Sequence, residues 1–260
     1  MTRAVILAAG EGSRLRPLTN NLPKTLVKLF NRPLLTRQLD VLNRAGINAV
    51  SVVAGYCAAA FEAYGTPLII NADYSKTNMV ASLHRAHCLF DGEEDVIVSY
   101  GDIAYEPNVL RAALDTPGPL VVVVDVGWKT LWQLRMDNPL DDAETMKIDA
   151  NGCITELGGK PQTLDEIEGQ YIGLIKIDKI FAPFFFDLYE SWPVNTILDE
   201  KPIEMMYMTS YIQRLIDQGI KVQAAKVENG WLEVDTLDDL LRYEYANKNG
   251  QLTHIYNTSA

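Results

Sequence analysis

Residues 4–26 read AVILAAGEGSRLRPLTNNLPKTL, an apolar run that meets two glycines and then a series of cations and prolines. Ala4-Val5-Ile6-Leu7-Ala8 shows no polar alternation, the pattern of a strand buried on both faces in a parallel sheet. Gly10 and Gly12 let backbone N–H groups approach a ligand closely, and Arg14, Arg16 and Lys24 are the residue types that surround a polyphosphate. Nothing matches the GxxxxGK[ST] of a P-loop, and no third glycine opens a helix as a dinucleotide fingerprint requires. The competing reading is a surface loop that happens to be basic.

Working outward, strand and helix patterns alternate. Pro33 to Ala45 carries Leu34, Leu35, Leu39 and Leu42 at helical spacing and ends at Gly46. Val50–Val53 and Leu68–Ile70 read as strands, Asn78 to Phe90 as a helix, and Val96–Ser99 as a strand running into Tyr100-Gly101-Asp102. Pro107 to Leu114 is a short helix before the strand Leu120–Asp125. Such βα repeats predict a doubly wound, mostly parallel sheet. The second half is more antiparallel. It holds a hairpin from Thr145 to Leu157 around Asn151-Gly152, a strand Tyr171–Ile177, and helices over Ile180–Tyr189 and Ile203–Gln218. Strands Lys221–Val227 and Trp231–Val234 and a helix Leu237–Ala246 close the chain. With no repeat and no linker, residues 1–260 read as one domain.

Composition narrows the class. The chain is globular in its balance of residues, and its net charge of -11 argues against a nucleic-acid backbone or an anionic membrane as partner. Residues 14–28 hold four of the 23 Lys and Arg, a local concentration that suits an anion site. An acidic protein handling a nucleoside triphosphate needs a cation such as Mg²⁺ to offset the ligand's charge. Cys57, Cys88 and Cys153 form no metal pattern; each lies beside apolar residues and reads as a buried free thiol, in keeping with a reducing cytoplasm. The N-terminus reads as a strand, with no signal peptide, and no apolar run approaches the ~18 residues of a membrane span.

Residues 10–26 resemble the signature of the sugar-phosphate and choline-phosphate nucleotidylyltransferases, GxGxRxxPxTxxxPKxL. Gly10, Gly12, Arg14, Pro17, Thr19, Pro23, Lys24 and Leu26 fill its defined positions. Further segments resemble phosphocholine cytidylyltransferase-like proteins, a group that includes phosphonate cytidylyltransferases. The resemblance implies a Rossmann-like, GT-A-like sheet and transfer of CMP from CTP to a small phosphate- or phosphonate-bearing acceptor with release of pyrophosphate. It implies nucleotide contacts from Leu7, Ala8, Ala9, Gly10, Glu11, Gly12, Arg14, Lys24, Asn78, Ser82, Tyr100 and Gly101, with Arg14, Lys24, Asp102 and Asp235 carrying the reaction. A homodimer is left open.

Asp102 ends a strand, where ligands of open α/β sheets bind; a Gly-Asp turn is the competing reading, and the resemblance makes it a magnesium ligand. Glu233 and Asp235 alternate along a strand and share a face, as a hard-cation site requires, while Asp235 or Thr236 also suits the cap of the next helix. Asp238 and Asp239 favour that helix by its dipole. On the resemblance, Asp235 and Glu233 join Asp102 around Mg²⁺. Asn78 suits either base contact or a helix cap.

For the acceptor, Asp125, Trp128, Trp132 and Arg135 cluster after a strand. Two indoles four apart with a carboxylate suit a quaternary ammonium, or they pack in the core; Arg135 instead suits an anionic group. Lys160 reads as an acceptor-phosphate contact or an exposed loop lysine. His84, His87 and His254 form no useful set. Three rivals stand beside this reading. A hexose-1-phosphate nucleotidylyltransferase shares the signature, a glycosyltransferase would carry a DxD motif that YGDIAY lacks, and a non-catalytic homologue would have lost the charged residues.

Overall fold

The computed structural model describes residues 1–258. Seven strands form the central sheet: β1 (Thr2–Ala8), β2 (Val50–Ala54), β3 (Leu68–Ile70), β4 (Asp95–Tyr100), β6 (Leu120–Asp125), β9 (Gln170–Ile177) and β10 (Val222–Val227). Their order is β10-β6-β9-β4-β1-β2-β3. The β1–β2, β1–β4, β2–β3 and β6–β10 pairings are parallel, and β9 runs against both of its neighbours. The antiparallel character of the second half continues in β5 (Ile103–Tyr105) against β11 (Trp231–Glu233) and β7 (Met146–Ile148) against β8 (Ile154–Leu157).

Helices cover both faces, which is why the strands are apolar throughout. In β1, Ala4, Ile6 and Ala8 face one core with α1 (Leu34–Arg44), α3 (Pro107–Asp115), α4 (Lys129–Arg135) and α7 (Leu237–Lys248). Val5 and Leu7 face the other, with α2 (Met79–His84), α5 (Asp187–Glu190) and α6 (Met208–Asp217). Pro107 opens α3 at its first position, where a missing N–H costs nothing.

Several expected helices are shorter than their patterns. The run expected to Phe90 stops at His84 and, after buried Ala86, continues as a 3-10 turn over His87–Leu89. The run 180–189 breaks into a 3-10 turn at Ala182–Phe184 and the single turn α5, with Pro183 removing a backbone donor. The run 203–218 splits at Met206 and Tyr207, both extended, before α6 begins. The cysteines are free, as expected, but not buried: Cys88 is exposed and Cys57 and Cys153 are half-buried. Among the described residues no helix is long and apolar enough to cross a membrane.

Candidate active site

Two adjoining cavities open over the ends of β1, β4 and β11. The larger, about 340 Å³, is lined by residues 7–10 and 12–14, Lys24, Thr25, Asn78, Ser82 and 100–102, with Glu233 and Asp235. Its floor follows from the glycines. Gly12 has φ +61, and a Cβ there would lie 2.8 Å from Lys24 Cβ, so the loop requires glycine for both conformation and space. At Gly101 a Cβ would meet Thr25 Oγ1 at 2.2 Å and Leu7 O at 2.6 Å. That close approach lets the end of β4 dock on the end of β1, with Gly101 N–H donating to Leu7 O at 2.8 Å. Buried Thr19 closes the loop by donating its hydroxyl to Gly12 O at 2.8 Å.

The two acidic segments are brought together by the β5–β11 pairing, which places Glu233 opposite Ile103, and by Val234 N–H donating to Asp102 O at 2.9 Å. Gln38, fully buried on α1, fixes the turn between β4 and β5. Its amide donates to Tyr100 O and Ile103 O at 2.8 and 2.7 Å, and its oxygen accepts from Ser99 Oγ at 2.9 Å. Lys24 Nζ then donates to Asp102 Oδ2 at 2.8 Å and Asp235 Oδ1 at 2.6 Å, and Arg14 pairs with the second oxygen of Asp235. Burial favours the neutral amine of Lys24, but Asp102, Asp235 and Glu233 together outweigh it and hold its pKa above the ordinary lysine value.

Thr236, not Asp235, caps α7. Its hydroxyl accepts from Asp239 N–H while Asp239 Oδ2 accepts from Thr236 N–H, a capping box. Asp235 is thereby free to face the cavity. Asp239 has more than a dipole role: the same Oδ2 accepts from Asp235 N–H at 2.9 Å, and Oδ1 accepts from Arg135 Nε at 3.1 Å.

A second cavity of about 170 Å³ shares Met79, Tyr100 and Glu233 with the first. Its further walls include Trp132, Trp231, Tyr171, Asp142, Glu144 and Thr209. The residues expected to form an acceptor pocket are distributed differently. Trp132 lines this cavity, nearly fully buried, with its indole N–H unpartnered. Trp128 is sealed in the core, edge-to-face against Trp132 at 5.8 Å between centroids. Asp125 is fully buried and structural: it accepts from Gly127 N–H, Asn229 N–H and Trp231 Nε1 at 2.8, 2.9 and 2.8 Å, locking the end of β6 to the start of β11. Arg135 offers no free cation, because its guanidinium is committed to Glu233 at 2.5 Å and to Asp239. Lys160 stands outside both cavities and donates to Leu140 O and Asp141 O at 2.5 and 3.1 Å.

On the nucleotide side, Glu11 does not line the cavity and pairs instead with Arg16 on the exposed face at 2.9 Å. Asn78 lines it and also caps α2, accepting from Met79 N–H at 2.9 Å. Asn71, which the sequence reading passes over, is fully buried after β3. It donates to Thr77 Oγ1 at 2.9 Å and Ser82 Oγ at 3.0 Å, fixing the wall that carries Asn78. A lone buried asparagine at a strand end gives no signal in sequence, and neither does Gln38.

Among the described residues no three acidic, histidine or cysteine side chains converge as a metal set. Glu233 is turned to Arg135, and burial pushes its carboxyl up to about 7 against the pull of Arg135 and Lys24. Asp102 and Asp235 do converge, on Lys24. Asp102 Oδ1 is buried with no hydrogen-bond partner, an acceptor left over for a cation. Two hard oxygen donors with one of them unsatisfied fit a divalent ion.

A glycine loop with two cations at the carboxyl ends of parallel strands, facing a pair of carboxylates, defines a nucleotidyltransferase. Residues 4–140 match the MobA-like NTP transferase domain, and the chain belongs to that family. The CTP:phosphoglutamine cytidylyltransferase of Campylobacter jejuni subsp. jejuni serotype O:2 is 39% identical over 91% of this chain and 97% of its own length. The choline-phosphate cytidylyltransferase of Streptococcus pneumoniae is 42% identical over 32% of this chain and 38% of its own length. A solved CTP:phosphocholine cytidylyltransferase from Streptococcus pneumoniae covers 95% of this chain and 99% of its own with a TM-score of 0.72; at 22% identity it bears on the fold alone.

Proposed function

We propose that the protein is a CTP-dependent cytidylyltransferase, acting as one domain in the cytoplasm on a small acceptor that carries a phosphate or phosphonate. The observation that carries this reading is the junction of the cavities. A site sized for a nucleotide and a smaller one meet at Met79, Tyr100 and Glu233, beside the Asp102–Lys24–Asp235 cluster. Donor and acceptor would face each other there.

In this reading the triphosphate lies along the loop 10–14, where open space above Gly10 leaves the backbone bare. Lys24 and Arg14 neutralise charge on the α-phosphate and the leaving pyrophosphate. Asp102 and Asp235 would hold Mg²⁺, which supplies Lewis-acid neutralisation of the phosphates when bound. Lys24, relieved of its carboxylates, is then free to turn to the nucleotide. An acceptor oxygen attacks the α-phosphorus in line, and because an ionised phosphate or phosphonate is already a nucleophile, no general base is needed. The walls of the two cavities accordingly supply no histidine. Positioning and charge neutralisation account for the chemistry.

Pyrophosphate release, assayed with CTP, UTP, ATP, GTP and dTTP against phosphorylated amines, phosphonates and sugar phosphates, tests the proposal. CTP with a small phosphate- or phosphonate-bearing acceptor is the expected pair. Preference for another nucleotide with a hexose phosphate overturns it.

A further inference from the structure

Glu144 in the second cavity is a carboxylate without a counter-charge. Its backbone is held on both sides by buried Gln170, whose Oε1 accepts from Glu144 N–H at 3.0 Å and whose Nε2 donates to Glu144 O at 2.6 Å. Its carboxylate has a single weak partner, the hydroxyl of Thr209 at 3.5 Å. No cation among the described residues pairs with it. Burial pushes its pKa up to about 7 and Asp142 adds to the rise, against the Thr209 hydrogen bond. Two buried acids nearby, Asp125 and Asp239, each accept from three N–H donors, and Glu233 pairs with Arg135. A carboxylate fixed by its backbone and left unpaired in a cavity costs folding free energy that a bound cation would return.

The surroundings say which cation. The wall holds Asp142, Glu144 and Glu233; Arg135 behind it pairs with Glu233 and lies 3.8 Å from Asp142, which leaves Glu144 as the acid of this wall with no cation on it. The aromatic walls are Tyr100, Trp132, Tyr171, Tyr207 and Trp231; Tyr100 and Tyr171 pack edge-to-face at 5.5 Å, and Lys201 Nζ already lies over the Tyr207 ring at 4.4 Å. The Arg135 guanidinium lies over the Trp132 ring at 5.4 Å, and Trp132 and Trp231 are nearly fully buried. A carboxylate short of hydrogen-bond donors is completed by an N–H donor and left unpaired by a trimethylammonium. Resting on the acceptor reading above, we propose that Glu144 determines acceptor specificity by receiving a primary or secondary ammonium on the acceptor's organic tail.

The test uses alkyl phosphates of two to four carbons ending in an amine, a hydroxyl or a trimethylammonium, with CTP and Mg²⁺, on the wild type and Glu144→Gln. The wild type is expected to favour the amine over both counterparts by at least tenfold in kcat/KM. E144Q is expected to bring the amine within about twofold of the hydroxyl compound, through KM. Equal use of all three tails by the wild type, or an equal loss on all three in E144Q, overturns the assignment and leaves cytidylyl transfer standing. If no acceptor releases pyrophosphate, the activity reading fails, and melting temperature decides the subsite. A stabilising shift by the aminoalkyl phosphate in the wild type and none in E144Q supports it; equal shifts, or none in either, overturn it. Should E144Q melt well below the wild type, Glu144→Asp replaces it, and an amine preference undiminished there overturns the assignment.

Discussion

The phosphate-facing part of the nucleotide cavity is built from local runs at strand ends, 7–10, 12–14 and 24–25 after β1 and 100–102 at the end of β4, whereas the acceptor cavity, beyond the residues it shares, is assembled from five segments far apart in the chain. The first works through backbone and fixed cations, which any triphosphate requires. The second works through side chains carried on α4, the loop before β7, the start of β9, the start of α6 and β11. One side is set by the chemistry of phosphate, and the other is where the substrate is chosen. Substitutions on the first should therefore act alike on every acceptor, and those on the second should not.

The largest effect is expected for Asp102→Asn and Asp235→Asn. Removing either carboxylate should cost several kcal/mol of transition-state stabilisation with every acceptor. Steady-state rates at saturating Mg²⁺ check this, with circular dichroism confirming the fold; near-normal turnover would place the chemistry elsewhere. Lys24→Ala should follow, with a loss of about 3 kcal/mol if the ammonium acts like an oxyanion-hole donor. A defect confined to one acceptor would break the division between the two sides.

Trp128→Leu and Trp132→Leu should separate. Both open a void in a buried cluster, at a cost of about 2–3 kcal/mol in stability. The Trp132 change alone should also raise the acceptor KM, since Trp132 lines the cavity and Trp128 does not. Thermal melts and KM values for both substrates distinguish them, and equal acceptor KM values in the two variants would remove Trp132 from the site.

The smallest effect concerns Glu144 and pH. Its folded pKa of about 7 lies above the ordinary 4.5, so the folded state binds the proton more tightly than the unfolded chain. The stability tied to that proton is full below about pH 4.5 and is lost as pH rises to about 7. E144Q should therefore melt about 2–4 °C above the unliganded wild type at pH 8, the shift that ~1 kcal/mol makes in a chain of this size, and the gap should close towards pH 5. A gap independent of pH would show that the carboxylate is already paired.

The sequence made the nucleotide side legible because its information is local. Gly10, Gly12, Arg14 and Lys24 stand at fixed offsets, and the ends of β4 and β11 carry Asp102 and Asp235 where a parallel sheet presents ligands. Of the residues read from sequence as acceptor contacts, Trp132 alone lines the second cavity. Asp125 and Arg135 are near it in sequence, yet each is consumed by a structural contact between distant segments, and Trp128 is sealed in the core. Asp125 finds its partners at 127, 229 and 231, and Arg135 finds Glu233 and Asp239. Glu144 and Gln170 meet across an irregular loop with no period to betray them. Helix ends are less legible: the apolar spacing runs on from Leu83 to Ala86 and Leu89, but the α-helix stops at His84 and the chain tightens to a 3-10 turn at His87.

Asp239 has a mechanical consequence. One carboxylate grips the main chain at Asp235 and, through Arg135, the side chain of Glu233. Asp235 of the larger cavity and Glu233, shared by both, are thus tied to the same first turn of α7. This wall of the cleft is therefore cross-linked by side chains, and the opposite wall is joined by main-chain carbonyls. There Asn78 N–H donates to Glu204 O at 2.8 Å and its side-chain amide to Met205 O at 3.4 Å, and Met206 and Tyr207 run extended before α6.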